Sequence, residues 1–197
     1  MDWKPSAEPL SGAHRPPVPV KIVIAGGFGV GKTTTVSAIS EIRPLTTEAA
    51  ITSVAAQLDR TTDVPAKTST TVALDFGCIT IDDDLKLYLF GTPGQDRFGF
   101  MWNDLSQGAL GALVIVDARR IDDCYPAVDY FEKVSLPFVV AVNLFDGRLT
   151  HDLDDLRWAL AIDPAIPLIT FDARDRYSVR DALLTVLRHA LARVDAE

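Results

Sequence analysis

A glycine-rich stretch with a single lysine carries the clearest chemistry in this sequence of 197 residues. Residues 26–33 read G-G-F-G-V-G-K-T and match the pattern G-x-x-x-x-G-K-[ST] in full. Glycines let the backbone curl so that its N–H groups point inward, and the lysine adds a positive charge. We therefore predict that Lys32 neutralises the outer phosphates of a nucleotide and that the Thr33 hydroxyl binds Mg²⁺. The alternative is a structural strand-to-helix turn with an exposed lysine.

Three further short motifs follow this loop, each next to a predicted strand. Residues 91–95 read G-T-P-G-Q, residues 143–146 read N-L-F-D, and residues 172–174 read D-A-R. The polar run 68–71, T-S-T-T, lies between the phosphate loop and the first of them. In this order the motifs resemble the small GTPases of the Ras and Arf type, with their D-x-x-G-Q, N-K-x-D and S-A-K elements.

On the phosphate side, this resemblance implies two switch segments. Gly94 would donate its N–H to the γ-phosphate and Gln95 would orient the attacking water, so Gln95 and Lys32 are the predicted catalytic residues. Thr71, or alternatively Thr70, would bind Mg²⁺ and sense the γ-phosphate, although a plain polar loop also explains these threonines. The predicted phosphate-binding set is Gly26, Gly27, Phe28, Gly29, Val30, Gly31, Lys32, Thr33, Thr34, Thr71 and Gly94, and the predicted metal ligands are Thr33 and Thr71.

On the base side, the resemblance implies recognition of guanine. Asp146 would accept hydrogen bonds from guanine N1–H and N2–H₂, a pair of donors that adenine lacks. Asn143 would tie this loop to the phosphate loop and the base, and Ala173 would donate its N–H to guanine O6 with Arg174 beside it. The structural alternative for N-L-F-D is an Asx turn at a strand end.

Two positions depart from the family pattern. Gly91 stands where the family has the aspartate that holds Mg²⁺ through water, so water or Asp75 would have to complete the metal shell. Leu144 replaces the lysine whose alkyl stem covers the base, and a leucine can cover it less completely.

The Gly91 departure and the P-G-Q element are similar to the bacterial MglA group of small GTPases. The run from A-G-G-F-G-V-G-K-T through D-F-G, L-F-G-T-P-G-Q-D-R-F, D-Y-F and N-x-F-D resembles the conservon GTPases of actinobacteria. This resemblance implies regulation by a roadblock/LC7-type protein and a sensor-kinase-like partner. Thr70 stands where MglA-type proteins carry an arginine, so unaided turnover is expected to be slow.

The elements that must position these motifs alternate between strands and helices. Apolar runs predict strands over 20–25, 71–81, 85–90, 110–116, 136–142 and 166–171, and amphipathic segments predict helices over 32–40, within 121–134, over 151–160 and over 177–193. This alternation predicts an α/β, three-layer doubly wound P-loop NTPase fold, with a mostly parallel sheet of about six strands and one antiparallel strand. Gly77 predicts a bulge or bend inside its strand.

The composition indicates which partners and which cellular compartment to expect. Residues 1–19 carry five prolines and predict a disordered leader before one domain at 20–197. The net charge of −8 argues against nucleic-acid binding. No apolar run or lipidation motif predicts a membrane anchor, and Cys78 and Cys124 are expected to be reduced core residues. A cytoplasmic protein is expected, with membrane recruitment by a partner as the alternative.

Two other functions compete with a switch that binds GTP or GDP and slowly hydrolyses GTP. A guanine-nucleotide-binding scaffold without significant hydrolysis is favoured by Gly91. An ATP-using P-loop kinase or ATPase would need an arginine-rich lid, and the pair Arg119-Arg120 is expected to lie on the surface beyond a strand.

Overall fold

A computed structural model describes residues 16–43, 45–51, 70–94, 99–149 and 151–194, without the side chains of 45–51, 70–73 and Val194. In this part of the chain the strands are β1 (Val18–Ala25), β2 (Leu45–Ile51), β3 (Thr70–Thr80), β4 (Leu85–Gly91), β5 (Gly111–Val116), β6 (Phe138–Asn143) and β7 (Leu168–Phe171). The α-helices are α1 (Lys32–Ile39), α2 (Phe100–Ser106), α3 (Tyr125–Lys133), α4 (Leu153–Leu160) and α5 (Arg176–Val194). Short 3₁₀ helices lie at Ile121–Cys124 and Phe145–Gly147.

The described strands form one sheet in the order β2-β3-β4-β1-β5-β6-β7. Neighbours from β4 to β7 are parallel, whereas β3 is antiparallel to both β2 and β4. The predicted fold class is therefore confirmed, including its one antiparallel strand. The sheet has seven strands rather than about six, because β2 was not predicted. Its sequence, L-T-T-E-A-A-I, has no long apolar run, and pairing with β3 makes it a strand.

The central strands are buried on both faces, and alternate residues divide the core into two layers. Every residue of β5 is buried. Leu113 and Ile115 pack on the side covered by α1 and α5, whereas Val114 and Val116 pack on the side covered by α2, α3 and α4. This two-sided burial explains the continuous apolar runs in the sequence. Because β1, β5 and β6 are parallel, their carboxyl ends lie at one edge of the sheet, where loops can form a site.

The predicted start of the first strand, at residue 20, needs correction. β1 begins at Val18, before the predicted domain boundary at residue 20, because Val18 N–H donates to Asp84 O at 2.6 Å and pairing with β4 starts there. Pro19 is tolerated because β5 pairs with β1 only from Ile22 onward, which leaves one side of the strand open at the proline. Residues 1–15, most of the predicted leader, lie outside the described residues.

Of the two features predicted at Gly77, a bulge or a bend, the bulge is wrong. The ladder between β3 and β4 runs without interruption from Asp75 to Thr80. A Cβ at Gly77 would come within 2.7 Å of Val36 Cγ1 and 3.0 Å of Ser40 Cβ. The glycine therefore allows α1 to lie close against the sheet, which fixes the direction in which α1 leaves the phosphate loop.

The two cysteines agree with the prediction that they are core residues. Cys78 and Cys124 are both free and buried, and burial raises the pKa of the Cys124 thiol to about 12. None of the helices in the described part of the chain combines the length and the apolar character that crossing a bilayer requires.

Candidate functional site

The glycine-rich loop joins the buried end of β1 to the first turn of α1. Gly26, Gly29 and Gly31 have positive φ angles of 130°, 73° and 113°, which L side chains rarely adopt. Space is limited as well, because a Cβ at Gly31 would lie 2.8 Å from Asn143 Nδ2. The loop therefore turns tightly into the N-terminus of α1, a position where backbone N–H groups can bind an anion.

The Lys32 ammonium group lies inside this loop. Its Nζ donates to the carbonyl oxygens of Gly26 at 2.8 Å and Gly27 at 2.6 Å, and the residue is only 8% exposed. Burial lowers the pKa of Lys32 to about 8, and the negative charge of Asp75 opposes this effect. The amine is thus held in place and titrates near physiological pH.

Asp75 occupies the position that Gly91 leaves open. The two residues are register partners on β3 and β4, and a Cβ at Gly91 would lie 2.9 Å from Asp75 Cβ. The Thr33 hydroxyl donates to Asp75 Oδ2 at 2.6 Å. A carboxylate therefore meets the phosphate loop from the neighbouring strand, and a side chain on Gly91 would displace it.

This pair of oxygen ligands fits Mg²⁺, a hard cation that one or two protein groups hold together with phosphate oxygens and water. Within the described ranges, no group of three or more His, Cys, Asp or Glu side chains could hold a metal ion. The Thr33 hydroxyl and the Asp75 carboxylate could thus hold a cation that also binds phosphate oxygens.

The T-P-G segment after β4 packs directly on the phosphate loop. A Cβ at Gly94 would lie 2.7 Å from Lys32 Nζ and 2.9 Å from Phe28 Cα. Gln95, the predicted water-positioning residue, lies outside the described residues. The backbone of Thr71 lies within β3 and pairs with Ala50, and its side chain is outside the description. The roles of both residues stay predictions.

Asn143 joins three loops at the end of β6. Its Nδ2 donates to Val30 O in the phosphate loop at 2.9 Å, and its Oδ1 accepts from the Ala173 N–H at 3.1 Å. The side chain is 7% exposed, so both bonds are made in a largely water-free environment. The Ala173 N–H that was predicted to bind guanine O6 is thus used here by Asn143.

Asp146 lies on the rim of a cavity of about 400 Å³. Its φ of 60° turns the backbone sharply within the short 3₁₀ helix, and the residue is exposed. The cavity is lined by Asp117, Ala118, Arg119, Val142, Asn143, Phe145, Asp146, Arg148 and Leu149. It includes two of the predicted base-binding residues but neither the phosphate loop nor Ala173. Arg174 is exposed and forms an ion pair with Asp172 at 3.0 Å.

Sequence reasoning missed one residue that contacts the phosphate loop, Arg120. Arg120, interpreted above as a surface residue, donates from Nη2 to Phe28 O at 3.0 Å. Arg119 instead binds the buried carboxylate of Asp117 through two bonds of 2.8 Å and lies over the Phe145 ring. Asp75, named from the sequence as one way to complete the metal shell, accepts a hydrogen bond from Thr33. No motif marks Arg120, which lies four residues after the end of β5.

Comparison with known proteins places the chain in a family. A profile of the family described as conserved hypothetical ATP binding protein matches residues 24–193, which is most of the chain. The chain belongs to this family. The chain is therefore a nucleotide-binding P-loop protein, as the site geometry indicates.

Two curated proteins are similar to this chain over part of its length. An uncharacterized protein of Methanocaldococcus jannaschii is 32% identical over 129 residues, which cover 64% of this chain and 71% of the relative. The Ras-related protein RABD1 of Arabidopsis thaliana is 25% identical over 126 residues, 59% of this chain and 62% of the relative, so the match spans less than two thirds of that protein.

The solved structures show the same fold. The FeoB G-domain from Methanococcus jannaschii superimposes with a TM-score of 0.57 at 14% identity, and the alignment covers 87% of this chain and 98% of the G-domain. The three-layer arrangement is thus that of a G-domain. The MglA-like and conservon resemblances remain predictions.

Proposed function

We propose that this protein is a molecular switch that binds GTP, hydrolyses it slowly to GDP, and signals to a partner through ordering of its switch segments. The observation that carries the proposal is the Asn143 bridge. One carboxamide connects the Lys32 phosphate loop to the two loops that bear Asp146 and Ala173. Such a connection is what a protein needs if it must hold the phosphates and read the base of the same nucleotide.

The base preference follows from the charge at Asp146. A carboxylate only accepts hydrogen bonds, and guanine presents two adjacent donors, N1–H and N2–H₂, whereas adenine presents no such pair. Arg174 carries only donors, and Asn143 Oδ1 already accepts from the Ala173 N–H, which leaves the Asp146 carboxylate as the exposed acceptor of the predicted set. We therefore expect guanosine nucleotides to bind more tightly than adenosine nucleotides.

The alternative, an ATP-binding protein, is favoured by the printed description of the family. Calorimetry of the full chain in Mg²⁺ with GDP, GTP, ADP and ATP separates the two. Tighter binding of adenosine nucleotides would overturn guanine recognition while leaving the phosphate site intact. Failure of all four nucleotides to bind would overturn the proposal as a whole.

Replacing Asp146 with asparagine provides a sharper test of base reading. Asparagine offers one acceptor and one donor, so it matches xanthine, which has N1–H and a carbonyl at C2, better than guanine. In Asp146→Asn we expect the affinity to shift from GDP toward xanthosine diphosphate. Asp129→Asn, an exposed position in α3, serves as the matched control and is expected to retain the guanine preference.

The metal ligands in this proposal are Thr33 and Asp75, with Thr71 as a further ligand from the resemblance. Bound there, Mg²⁺ would supply positive charge to the phosphate oxygens. Thr33 and Asp75 already hydrogen-bond to each other, so the chain itself brings the two ligands together. We expect Asp75→Asn to weaken the Mg²⁺ dependence of GTP binding.

Moving the carboxylate between strands tests this assignment. Gly91→Asp alone should destabilise the fold, because its Cβ would lie 2.9 Å from Asp75 Cβ. The double variant Asp75→Gly, Gly91→Asp removes that overlap and should recover Mg²⁺-dependent GTP binding. If Asp75→Asn binds with unchanged Mg²⁺ dependence, Asp75 is not a metal ligand.

Hydrolysis is assigned to water attack on the γ-phosphorus, with Gln95 orienting the water and Lys32 neutralising charge. We expect Gln95→Leu to lower single-turnover hydrolysis without abolishing GTP binding. If the unmodified chain shows no single-turnover hydrolysis in Mg²⁺, the non-hydrolysing scaffold is the better description. Lys32→Ala is the control that should lose nucleotide binding.

The signalling partners are proposed from the resemblance to the MglA-like and conservon proteins. A roadblock/LC7-type protein would regulate the nucleotide state, and a sensor-kinase-like protein would act with it. A cytoplasmic location, with membrane recruitment through such a partner, fits this proposal. Pull-down of a purified roadblock-type protein with the GTP-loaded and GDP-loaded chain tests whether binding depends on the nucleotide.

A further inference from the structure

The loop that follows β5 packs against the tip of the phosphate loop. A Cβ at Gly27 would lie 2.6 Å from Asp123 Cβ and 2.9 Å from Asp123 O, so the 3₁₀ helix at Ile121–Cys124 is in direct contact with the loop backbone. Gly27 itself is buried. This contact places the side chains around residue 120 next to the part of the loop that would surround a phosphate.

Arg120 uses this position to bind the loop backbone. Its Nη2 donates to Phe28 O at 3.0 Å and lies 3.6 Å from where a Cβ of Gly29 would stand. Two carboxylates hold the guanidinium group in place, with Nε 3.6 Å from Asp117 Oδ2 and Nη1 3.4 Å from Asp123 Oδ2. The charge is therefore balanced locally, and what remains is a directed hydrogen bond to one peptide group.

The orientation of that peptide matters for anion binding. In a planar trans peptide, the C=O of Phe28 and the N–H of Gly29 point in opposite directions. Because the carbonyl accepts from Arg120, the Gly29 N–H points away from Arg120. Gly29 has a φ of 73°, and glycine adopts positive and negative φ almost equally well, so the residue itself does not determine the orientation.

We propose that Arg120 is a positioning residue that keeps the Phe28–Gly29 peptide turned with its N–H toward the bound phosphates. This inference rests on the proposed nucleotide-binding function. Arg120 acts through the peptide group, since its hydrogen bond is to the Phe28 carbonyl oxygen. Without Arg120, the peptide can turn its carbonyl inward, where it would repel a phosphate oxygen.

The test compares Arg120→Ala with Arg180→Ala in the full chain. Arg180 is a matched control because its side chain is 50% exposed, against 49% for Arg120, and it also pairs with an aspartate, Asp181. Calorimetry with GDP and Mg²⁺ should show an affinity about tenfold lower for Arg120→Ala, the size of one charge-assisted hydrogen bond, and an unchanged affinity for Arg180→Ala. Arg120→Met, which keeps the stem without a donor, should behave like Arg120→Ala and replaces it if the alanine variant does not fold.

A spectroscopic measurement separates positioning from general stability. The ³¹P resonances of bound GDP should move in Arg120→Ala or Arg120→Met and should not move in Arg180→Ala, because only the former alter an N–H donor to the phosphates. Arg120→Lys, which keeps a cationic donor, should recover part of the affinity. If the folded Arg120 variants bind GDP like the unmodified chain with unmoved ³¹P resonances, Arg120 has no positioning role. If the unmodified chain itself binds no nucleotide, the proposed function fails as well.

Discussion

The most informative residue of the site is Lys32, a charged group placed where charge is costly. Its ammonium group is 8% exposed, and carbonyl oxygens of Gly26 and Gly27 satisfy two of its three donors. Desolvation by burial brings its pKa down to about 8, with Asp75 limiting the change. A bound phosphate would bring negative charge beside the amine and favour its protonated form.

Nucleotide binding should therefore take up a proton at alkaline pH. The free protein has a Lys32 pKa of about 8, below the ordinary value of 10.5, and phosphate binding should raise it again. Above pH 8 the free amine must be protonated on binding, so GDP affinity should fall as pH rises, by about tenfold per unit. Calorimetry in buffers of different ionisation enthalpy measures the protons taken up per GDP bound. At pH 9 we expect close to one proton, and at pH 7 we expect little uptake.

The lowered pKa of Lys32 also affects stability. As pH rises, its effect on stability has the opposite sign to its effect on GDP affinity. Between pH 8 and 10.5 the unfolded chain binds more protons at Lys32 than the folded chain, so this residue's contribution to the free energy of unfolding rises with pH in that window. In Lys32→Arg the guanidinium stays protonated, so both effects should disappear. Equal proton uptake at pH 7 and pH 9 would contradict the assignment of the low pKa to Lys32.

At the scale of elements, the direction of α1 depends on its close approach to β3. Gly77 provides the space, since a side chain there would meet Val36 Cγ1 and Ser40 Cβ. The Ser40 hydroxyl accepts from the Cys78 N–H at 3.3 Å, which fastens the helix end to the strand. The phosphate loop leads directly into α1, so this contact also sets the position of Lys32 and Thr33 in the first turn of the helix.

A methyl group at Gly77 should therefore be destabilising. Overlap of this size in a packed core costs about 1–3 kcal/mol. We expect Gly77→Ala to lower the free energy of unfolding by that amount, measured by urea denaturation. Val36→Ala removes the clashing Cγ1 and costs stability through the cavity it leaves.

The double variant Gly77→Ala, Val36→Ala tests the cause. Each substitution relieves the effect of the other, because the new methyl group fills space that the valine vacates. The combined loss should be clearly smaller than the sum of the single losses. Additive losses would show that Gly77 matters for another reason than its contact with Val36.

At the scale of the whole molecule, the site depends on chain segments that are distant in sequence. The parallel strands β1, β5 and β6 end at one edge of the sheet, and Asn143 at the end of β6 fastens the loop after β1 to the loop after β7. Its two hydrogen bonds are buried, so the same two bonds stabilise the fold and position the loops of the site.

Asn143→Ala should consequently weaken both stability and binding. The change leaves Val30 O and the Ala173 N–H without their partner, which should lower the free energy of unfolding by about 3 kcal/mol. Urea denaturation measures this loss, and Asn103→Ala at an exposed position of α2 should change it by less than about 0.5 kcal/mol. Thermal denaturation with GDP should show a smaller stabilisation for Asn143→Ala than for the unmodified chain. Equal losses in the two variants would contradict the bridging role.

The sequence alone determined the features that arise from local patterns. The glycine and lysine spacing of the phosphate loop, the continuous apolar runs of β5 and β6, and the amphipathic helix α5 all have their cause within a few neighbouring residues. Those patterns were enough to predict the fold class, the position of the phosphate loop at a strand-to-helix junction, and the buried state of both cysteines.

The tertiary structure decided what depends on contacts between distant segments. Thr33 and Asp75 are separated by 42 positions, Phe28 and Arg120 by 92, and Val30 and Asn143 by 113. The strand β2 and the reason for Gly77 belong to the same class, since each depends on an element that packs or pairs with it. Such a hydrogen bond or close contact leaves no pattern among neighbouring residues of the sequence. It forms only when the strands have paired and brought the distant segments together.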